Sequence, residues 1–358
     1  MNFNFPLLGT VRILLFPFSF IYFAVVWCRN RLYDKNVFQS TSFNLPIICV
    51  GNLSVGGTGK SPMVEHLVRT LKGEFKVATL SRGYKRKTKG YALANGQSTA
   101  LEIGDEPMLF HIRFPEVAVA VGEERLEAIP QLLFDRPDTQ VVILDDAFQH
   151  RAVKAGYNIL LVDCNNLFTR DWYLPTGDLR DEKASYHRAD VIIITKCNPA
   201  MSRAEKEKLV TEINPLQHQR LFFAAIRYGM AYHIVTKNPR RITDSTEVLL
   251  VTGIANPASL KKYLDEQAGT YYQLAFNDHQ VFTIDDLKQI LGKYEDITSP
   301  AKIILTTEKD AVRLIKFENV LKDLPFFVIP IEHEFLFNAT DEFNGLVKNF
   351  IVNFQHCA

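Results

Sequence analysis

The sequence has 358 residues, of which 47% are hydrophobic and 23% are charged, with a formal net charge of +1. This length accommodates two domains and a large core, and the near-zero charge argues against a general nucleic-acid-binding protein. The five cysteines are scattered and form no Cys-x-x-Cys pair, which indicates neither a disulfide framework nor a zinc site and fits a reducing, cytosol-facing compartment.

An uncharged, apolar run at residues 13–28 is the exception in this composition. It is shorter than the roughly 20 residues that cross a bilayer, and Pro17 interrupts it. Arg29 and Arg31 follow it where a signal peptide would have a small-residue cleavage site. A spanning helix and a helix buried against the protein are both open. We favour a helix that lies in one face of a membrane, with Arg29, Arg31 and Lys35 at anionic headgroups.

A glycine-rich stretch at residues 51–62 lies between a predicted buried strand, residues 45–50, and a segment with helical spacing, residues 63–68. Strand, glycine loop, lysine, hydroxyl and helix form the context of a phosphate-binding P-loop, although Ser54 replaces its first glycine. The alternative is a glycine-rich turn without a ligand. In a P-loop the lysine reaches the outer phosphates and the hydroxyl contacts magnesium. We therefore predict a nucleoside triphosphate site made of Ser54, Val55, Gly56, Gly57, Thr58, Gly59, Lys60 and Ser61.

A basic loop, residues 82–90, follows the next predicted strand, residues 76–81. It is either solvated surface or a contact for a phosphorylated ligand, in which case Arg82 is nearest the strand. The sequence Gly-Asp-Glu-Pro at residues 104–107 then precedes a helical segment. Helix N-capping is the better explanation of Asp105 and Glu106 from the residues alone.

An apolar strand that ends in two carboxylates, Asp145 and Asp146, has the form of a Walker B element, in which a carboxylate holds magnesium. The sequence does not decide which of the two is the ligand. Strands that alternate with helices predict an α/β fold, with a P-loop NTPase-like, mostly parallel sheet flanked by helices. Further buried strands of this type are predicted at residues 117–121, 157–163 and 190–196.

The pattern predicts four regions along the chain. They are a hydrophobic N-terminal helix at 1–40, a P-loop core at 41–220, a β-ribbon linker at 221–245, and a smaller α/β domain with a closing helix at 246–358.

Eight short motifs in a fixed order resemble those of the tetraacyldisaccharide 4′-kinase family, the lipid A 4′-kinases of Gram-negative bacteria. They lie at residues 51–62, 80–84, 104–107, 145–150, 175–180, 252–257, 276–279 and 306–312. The family transfers the γ-phosphate of ATP to the 4′-hydroxyl of a tetraacylated glucosamine disaccharide 1-phosphate. The resemblance implies ATP and Mg²⁺ as cofactors and the acylated disaccharide lipid as substrate. It also implies monotopic association with the cytoplasmic face of the bacterial inner membrane, and no nucleic acid or obligate protein partner.

The same resemblance assigns roles to particular residues. It makes Asp105 the catalytic base, in place of the capping interpretation, and His279 the histidine that assists it, next to Lys60 at the phosphates. From the residues alone His279 would be structural. The resemblance also implies a two-stranded linker whose domain closure brings His279 toward Asp105. The P-loop and Walker B patterns predict that magnesium is held by Ser61 and by either Asp145 or Asp146. The candidate substrate contacts are Arg82, Gln149, His150 and Arg180.

Three positions depart from the family pattern. Ala147 stands where glycine is expected, and Gln280 where a second histidine is frequent. Asp178 takes a place that is often apolar, which leaves the substrate contact of Arg180 open.

Two other functions compete with the kinase. The stretch at residues 195–198 resembles the guanine-reading element of a GTPase or metallochaperone-type switch, but Asn198 replaces its aspartate. A membrane-tethered binding protein with a merely structural P-loop is the third possibility, and the presence of Lys60 and Ser61 speaks against it.

Overall fold

The computed structural model describes residues 12–254 and 256–357, the last three by their backbone only. The start of the predicted N-terminal segment and Ala255 of the 252–257 motif lie outside the described residues. The described chain divides into a larger unit, residues 12–226 with 333–357, and a smaller unit, residues 227–332.

Helices and strands alternate through most of the described chain. The helices are α1 (Phe16–Asp34), α2 (Lys60–Leu71), α3 (Ala100–Ile103), α4 (Asp105–Arg113), α5 (Arg125–Asp135), α6 (Arg203–Ile213), α7 (Ala258–Gln267), α8 (Ile284–Glu295), α9 (Glu308–Leu314), α10 (Glu318–Leu321) and α11 (Thr340–Cys357). Short 3₁₀ helices occur at Lys183–Arg188, Ile315–Phe317 and Leu336–Asn338. The strands are β1 (Ile47–Asn52), β2 (Val77–Ser81), β3 (Ala92–Leu93), β4 (Ala118–Val121), β5 (Val141–Asp145), β6 (Tyr157–Asp163), β7 (Val191–Thr195), β8 (Arg220–Tyr228), β9 (Ala231–His233), β10 (Pro239–Arg240), β11 (Glu247–Thr252), β12 (Thr270–Ala275), β13 (Lys302–Thr307), β14 (Phe326–Ile329) and β15 (Ile331–Phe335).

The sheet of the larger unit contains a parallel block in the order β8-β7-β6-β1-β5-β2-β4. Strand β3 pairs antiparallel with β4 at one edge, and β15 lies next to β8 at the other. The order places β1 and β5 side by side, so the carboxyl ends that carry the glycine loop and the Asp145–Asp146 pair are neighbours. The predicted α/β class with a mostly parallel sheet is confirmed.

Strand β1 is buried throughout, and its residues 47–50 are apolar because helices cover both faces of the sheet. Ile47 and Cys49 belong to one hydrophobic cluster, while Ile48 and Val50 belong to another that includes Met63 and other residues of α2. Burying an aliphatic side chain of this size contributes about 1.5–3 kcal/mol, so β1 and α2 hold the glycine loop between two rigid elements.

The smaller unit has its own sheet, in the order β10-β9-β14-β13-β11-β12. Strands β12, β11, β13 and β14 are parallel, and β9 and β10 add antiparallel strands at one edge. Helix α9 follows β13 directly, and the hydroxyl of Thr307 caps it by accepting a hydrogen bond from the backbone N–H of Asp310.

The assignment of the closing helix to the smaller domain is wrong: α11 belongs to the larger unit. Phe343, Val347 and Ile351 recur every fourth residue and are fully buried in the cluster that also contains residues of α2. The ring of Phe343 lies 4.7 Å from that of Phe335 and 5.5 Å from that of Phe222. The apolar stripe of α11 is therefore buried on the larger sheet. The unit boundaries fall within β8 and β15, so the predicted linker at 221–245 begins inside the larger unit.

Helix α1 buries polar side chains and exposes apolar ones. The hydroxyl of Ser19 donates to the carbonyl oxygen of Tyr173 at 3.0 Å, and the amide of Asn30 donates to Asp181 at 2.9 Å. Phe18 and Ile21 are about 60% exposed on the other side. Among the residues that the structure describes, none of the helices combines the length and apolar content needed to cross a membrane.

Candidate active site

The glycine loop, residues 53–59, connects the carboxyl end of β1 to the amino end of α2. Gly59 has φ +88°, a left-handed conformation that disfavours other residues. Its carbonyl oxygen accepts a hydrogen bond from Nε2 of His333 at 2.8 Å, and the carbonyl oxygen of Thr58 accepts one from the Thr195 hydroxyl at 2.8 Å. These contacts fix the last two residues of the loop, whereas Val55, Gly56 and Gly57 are exposed.

A second segment supports the start of this loop. The backbone N–H of Val55 donates to the carbonyl oxygen of Asp178 at 2.7 Å, and that of Arg180 donates to the carbonyl oxygen of Leu53 at 2.8 Å. Ser54 and Leu179 form an isolated antiparallel bridge. The motif at residues 175–180, Pro-Thr-Gly-Asp-Leu-Arg, therefore lies against the glycine loop. No local sequence pattern predicts this contact.

Charged side chains converge where β1 and β5 end. Nζ of Lys60 lies 3.7 Å from Oδ1 of Asp146 and 3.3 Å from Oδ1 of Asn52. The guanidinium of Arg180 donates to both carboxylate oxygens of Asp146 and to Oδ1 of Asn52. Burial alone would raise the pKa of Asp146, but the charges of Lys60 and Arg180 outweigh it and lower this pKa to about 2. Asp146 is therefore ionised and paired with two cations.

Asp145 and Ser61 provide oxygen atoms beside this cluster. Asp145, the last residue of β5, is 2% exposed, and Ser61, the second residue of α2, is 6% exposed. Within the described ranges no three His, Cys, Asp or Glu side chains form a metal cage. A magnesium ion bound with a nucleotide needs no such cage, because phosphates and waters supply most of its oxygen ligands. The hydroxyl and the carboxylate fit that requirement.

Asp105 is the first residue of α4 and is half-buried. Helix capping is the wrong interpretation of this side chain, because the N-cap is Gly104, at φ +95°. A Cβ atom on Gly104 would lie 3.3 Å from Cα of Gly83, which shows that the turn before Asp105 packs against the start of the basic loop.

The basic loop is only partly solvated. Arg82 is exposed. The side chain of Arg86 points inward: it is 2% exposed and pairs with Glu123 at 2.7 Å. Thr88 donates to the carbonyl oxygen of Glu102 at 2.5 Å. The loop therefore folds back on α3 and leaves Arg82 accessible.

Gln149 and His150 follow the Asp145–Asp146 pair, but they have different surroundings. The amide of Gln149 donates to the carbonyl oxygen of Asn52 at 2.7 Å, so it ties this segment to the end of β1. His150 is half-buried, and burial, followed by the charge of Arg125, lowers its pKa.

Arg125, which is 3% exposed, is a cation that the sequence analysis missed. Burial lowers its pKa, and the charges of Asp145 and Asp146 oppose that effect. The sequence feature that could have indicated Arg125 is its position just after the carboxyl end of β4. His333 beside Gly59 was also missed, because nothing near it in the sequence indicates that contact.

His279 lies in the smaller unit, at φ +62°. Its Nδ1 is 3.2 Å from Nη2 of Arg313, and its Nε2 is 3.8 Å from Oδ2 of Asp278. The larger unit brings together the glycine loop, Asp145, Asp146, Gln149 and Arg180. The approach of His279 to Asp105 stays a prediction.

Comparison with known proteins identifies the family. A family model described as tetraacyldisaccharide-1-P 4′-kinase matches residues 11–351. The chain belongs to this family. The tetraacyldisaccharide 4′-kinase of Bacteroides thetaiotaomicron is 42% identical over 351 residues, which cover 94% of this chain and 92% of that protein. That of Flavobacterium johnsoniae is 40% identical over 345 residues, covering 96% of this chain and 98% of that protein.

A solved structure agrees with these relatives. It is described as the "apo" form of LpxK from Aquifex aeolicus in complex with ATP, and it matches with a TM-score of 0.73 and 28% identity over 95% of this chain and 99% of that one. The family resemblance is confirmed, and the protein is a kinase, a phosphotransferase with an alcohol group as acceptor. It catalyses ATP-dependent 4′-phosphorylation in lipid A biosynthesis, not the reaction of a GTPase switch.

Proposed function

We propose that the glycine loop binds the phosphates of ATP and that Asp105 accepts the proton of the sugar 4′-hydroxyl. The observation that carries this proposal is the meeting of Lys60, Arg180 and Asp146 at the amino end of α2. A helix amino end and two cations at one point form a site for a polyphosphate. We infer from this that the chain has a P-loop NTPase-like core.

The reaction joins the 4′-oxygen to the γ-phosphorus, while the bond from that phosphorus to the β,γ-bridging oxygen breaks and ADP leaves. The hydroxyl proton passes to the carboxylate of Asp105, a modest requirement because phosphoryl transfer depends mainly on position and charge. Lys60 exchanges its contact with Asp146 for the outer phosphate oxygens. His279 holds the Asp105 carboxylate in place when the smaller domain closes.

Magnesium, when bound, would supply positive charge that offsets the negative charge on the phosphate groups. We assign Ser61 and Asp145 to hold it. The carboxylate of Asp146 is already engaged by Lys60 and Arg180, so Asp146 positions those two cations. Arg82 and His150, which flank this region, are the candidate contacts to the sugar phosphate.

Transfer of label from γ-labelled ATP to tetraacyldisaccharide 1-phosphate in detergent micelles tests these roles. The variants are Lys60→Ala, Asp105→Ala and, as a control, Asp138→Ala, an exposed residue before the amino end of β5. We expect Lys60→Ala to lose ATP binding and transfer together. Asp105→Ala keeps ATP binding and loses at least about a hundredfold in kcat, the usual contribution of a general base. Wild-type kcat in Asp105→Ala would refute its role.

We also propose that α1 associates the enzyme with the membrane in a monotopic manner, at the cytoplasmic face of the inner membrane. Its polar side chains are anchored on the larger unit, and Phe18, Ile21 and Val25, at helical spacing, are 58–63% exposed. A substrate with four acyl chains remains in the bilayer, so an exposed apolar helix face brings the active site to it.

The basic residues at the carboxyl end of this helix contribute less than the sequence suggests. Arg29 donates to the carbonyl oxygen of Gln149 at 2.8 Å, and Arg31 lies 3.4 Å from Glu182. Both therefore contact the protein itself, whereas Lys35 is exposed and remains available to anionic headgroups.

Sedimentation with anionic phospholipid vesicles tests the membrane proposal. We expect the triple variant Phe18→Ser, Ile21→Ser, Val25→Ser to lose vesicle binding while it retains ATP binding. Phe134→Ser, which changes an 86% exposed phenylalanine on α5, serves as the matched control. Equal sedimentation of the triple variant and the wild type would refute the proposal.

A further inference from the structure

A buried arginine–aspartate pair lies behind His279 in the smaller unit. The side chain of Asp310 is fully buried and that of Arg313 is 6% exposed, and Nη1 of Arg313 donates to Oδ1 of Asp310 at 3.1 Å. The other oxygen of Asp310 accepts from the Thr307 hydroxyl at 2.8 Å and from the backbone N–H of Gly253 at 3.0 Å. The Thr307 hydroxyl and the Gly253 N–H therefore fix the Asp310 carboxylate, and the carboxylate in turn fixes the guanidinium of Arg313.

The same guanidinium contacts the imidazole of His279. Nη2 of Arg313 lies 3.2 Å from Nδ1 of His279. The main chain of His279 is held as well, since its N–H donates to the carbonyl oxygen of Gly253 at 3.1 Å. A Cβ atom on Gly253 would lie 2.9 Å from the carbonyl oxygen of Asn277, so this turn has little room to shift.

The chemistry of this contact determines where the imidazole carries its proton. A guanidinium has five N–H donors and no acceptor, so Nδ1 of His279 must accept and is unprotonated. The proton of the neutral ring is then on Nε2. The surroundings agree, because Nε2 is the nitrogen that faces a carboxylate, Oδ2 of Asp278 at 3.8 Å. Protonating Nδ1 would place an N–H and a second positive charge against the guanidinium.

We propose that Arg313, held by Asp310, is a positioning residue that keeps His279 in the Nε2–H tautomer. His279 is then a hydrogen-bond donor with a fixed direction, and it does not accept the substrate proton. This inference deepens the function proposed above and rests on it: the Nε2–H of His279 orients the carboxylate of the base, and the proton of the 4′-hydroxyl stays on Asp105.

The direct test is the histidine side-chain spectrum of the full-length protein labelled with ¹⁵N-histidine, with His279→Ala to assign the signal. Long-range ¹H–¹⁵N correlations distinguish the two neutral tautomers. We expect the Nε2–H pattern in the wild type and in Arg240→Met, a control at an exposed arginine of the same unit. We expect a mixture of tautomers in Arg313→Met. An Nδ1–H pattern in the wild type would overturn the inference, and that result needs only the assignment variant His279→Ala beside the wild type.

A double-mutant cycle with His279→Ala then separates positioning from structure. We expect Arg313→Met to lower kcat at least about tenfold and to leave KM for ATP unchanged, as loss of a supporting partner does. In the His279→Ala background Arg313→Met should not lower kcat further, because Arg313 acts on catalysis through the imidazole that this background lacks.

The outcomes separate this inference from the function on which it rests. An Arg313→Met effect that is as large without His279 as with it would assign Arg313 a structural role and overturn the inference. Wild-type kcat in His279→Ala would instead refute the role proposed for His279, whatever tautomer the spectrum shows.

Discussion

His333 should make the larger unit sensitive to acid. This residue is 7% exposed, and its Nε2–H donates to the carbonyl oxygen of Gly59 at 2.8 Å. Nδ1 is buried and has no hydrogen-bond partner among the described residues. Protonating it would bury a charge, so burial, despite the bond to Gly59, lowers the pKa of His333 from 6.5 to about 4.

The direction and size of the effect follow from proton binding. Between about pH 6.5 and pH 4 the unfolded chain binds a proton that the folded chain does not, so stability falls as the pH falls. With an unfolded pKa of 6.5 and a folded pKa of about 4, the loss from about pH 7.5 to about pH 5 is about 2 kcal/mol.

Urea unfolding of the wild type and of His333→Gln at these two pH values measures the part of the stability loss that His333 causes. Glutamine can donate to the same carbonyl oxygen and does not titrate, and the other titratable groups are common to both proteins. We expect the free energy of unfolding of the wild type to fall about 2 kcal/mol more than that of the variant between the two pH values. An equal fall in both proteins would show that His333 is not buried in its neutral form.

Three further substitutions test the packing around the site. Phe343→Ala removes a fully buried ring of α11 and should lower the free energy of unfolding by about 3–5 kcal/mol, measured by urea unfolding; a smaller loss than about 1 kcal/mol would contradict the burial of this helix. Gly59→Ala places a Cβ atom 2.7 Å from Cε1 of His333, at a residue with φ +88°. The resulting strain of about 1–3 kcal/mol in the glycine loop should raise Kd for ATP about tenfold, measured by calorimetry. An unchanged Kd would show that the loop binds ATP without this constraint. Glu65→Gln removes the charge of a buried carboxylate that lies 2.6 Å from Nη1 of Arg113, and it should lower the free energy of unfolding by about 1–3 kcal/mol in the same unfolding assay. An unchanged free energy of unfolding would show that this ion pair is dispensable.

The local features of the site could be predicted from the sequence. The glycine loop, the strand before it and the helix after it depend on neighbouring residues: glycines for the turn, an apolar run for a strand covered on both faces, and helical spacing thereafter. The predicted strand at 157–163 agrees with β6, Tyr157–Asp163, for the same reason. The order of short motifs along the chain indicated the family, which the comparisons confirm.

The tertiary structure decided how distant residues share one site. Asp145 and Asp146 are equivalent in the sequence, but the fold brings the guanidinium of Arg180 to Asp146, whereas Asp145 is the buried last residue of β5, paired in register with β1. His333 reaches Gly59 from 274 residues away.

The closing helix α11 is buried on the larger unit, although the chain has passed through the smaller one before it. Its apolar stripe specifies that it must be buried but not against which surface. Amphipathic pattern and turn chemistry act between residues that are near in the chain, whereas charge pairing and burial act between whichever residues the fold brings together.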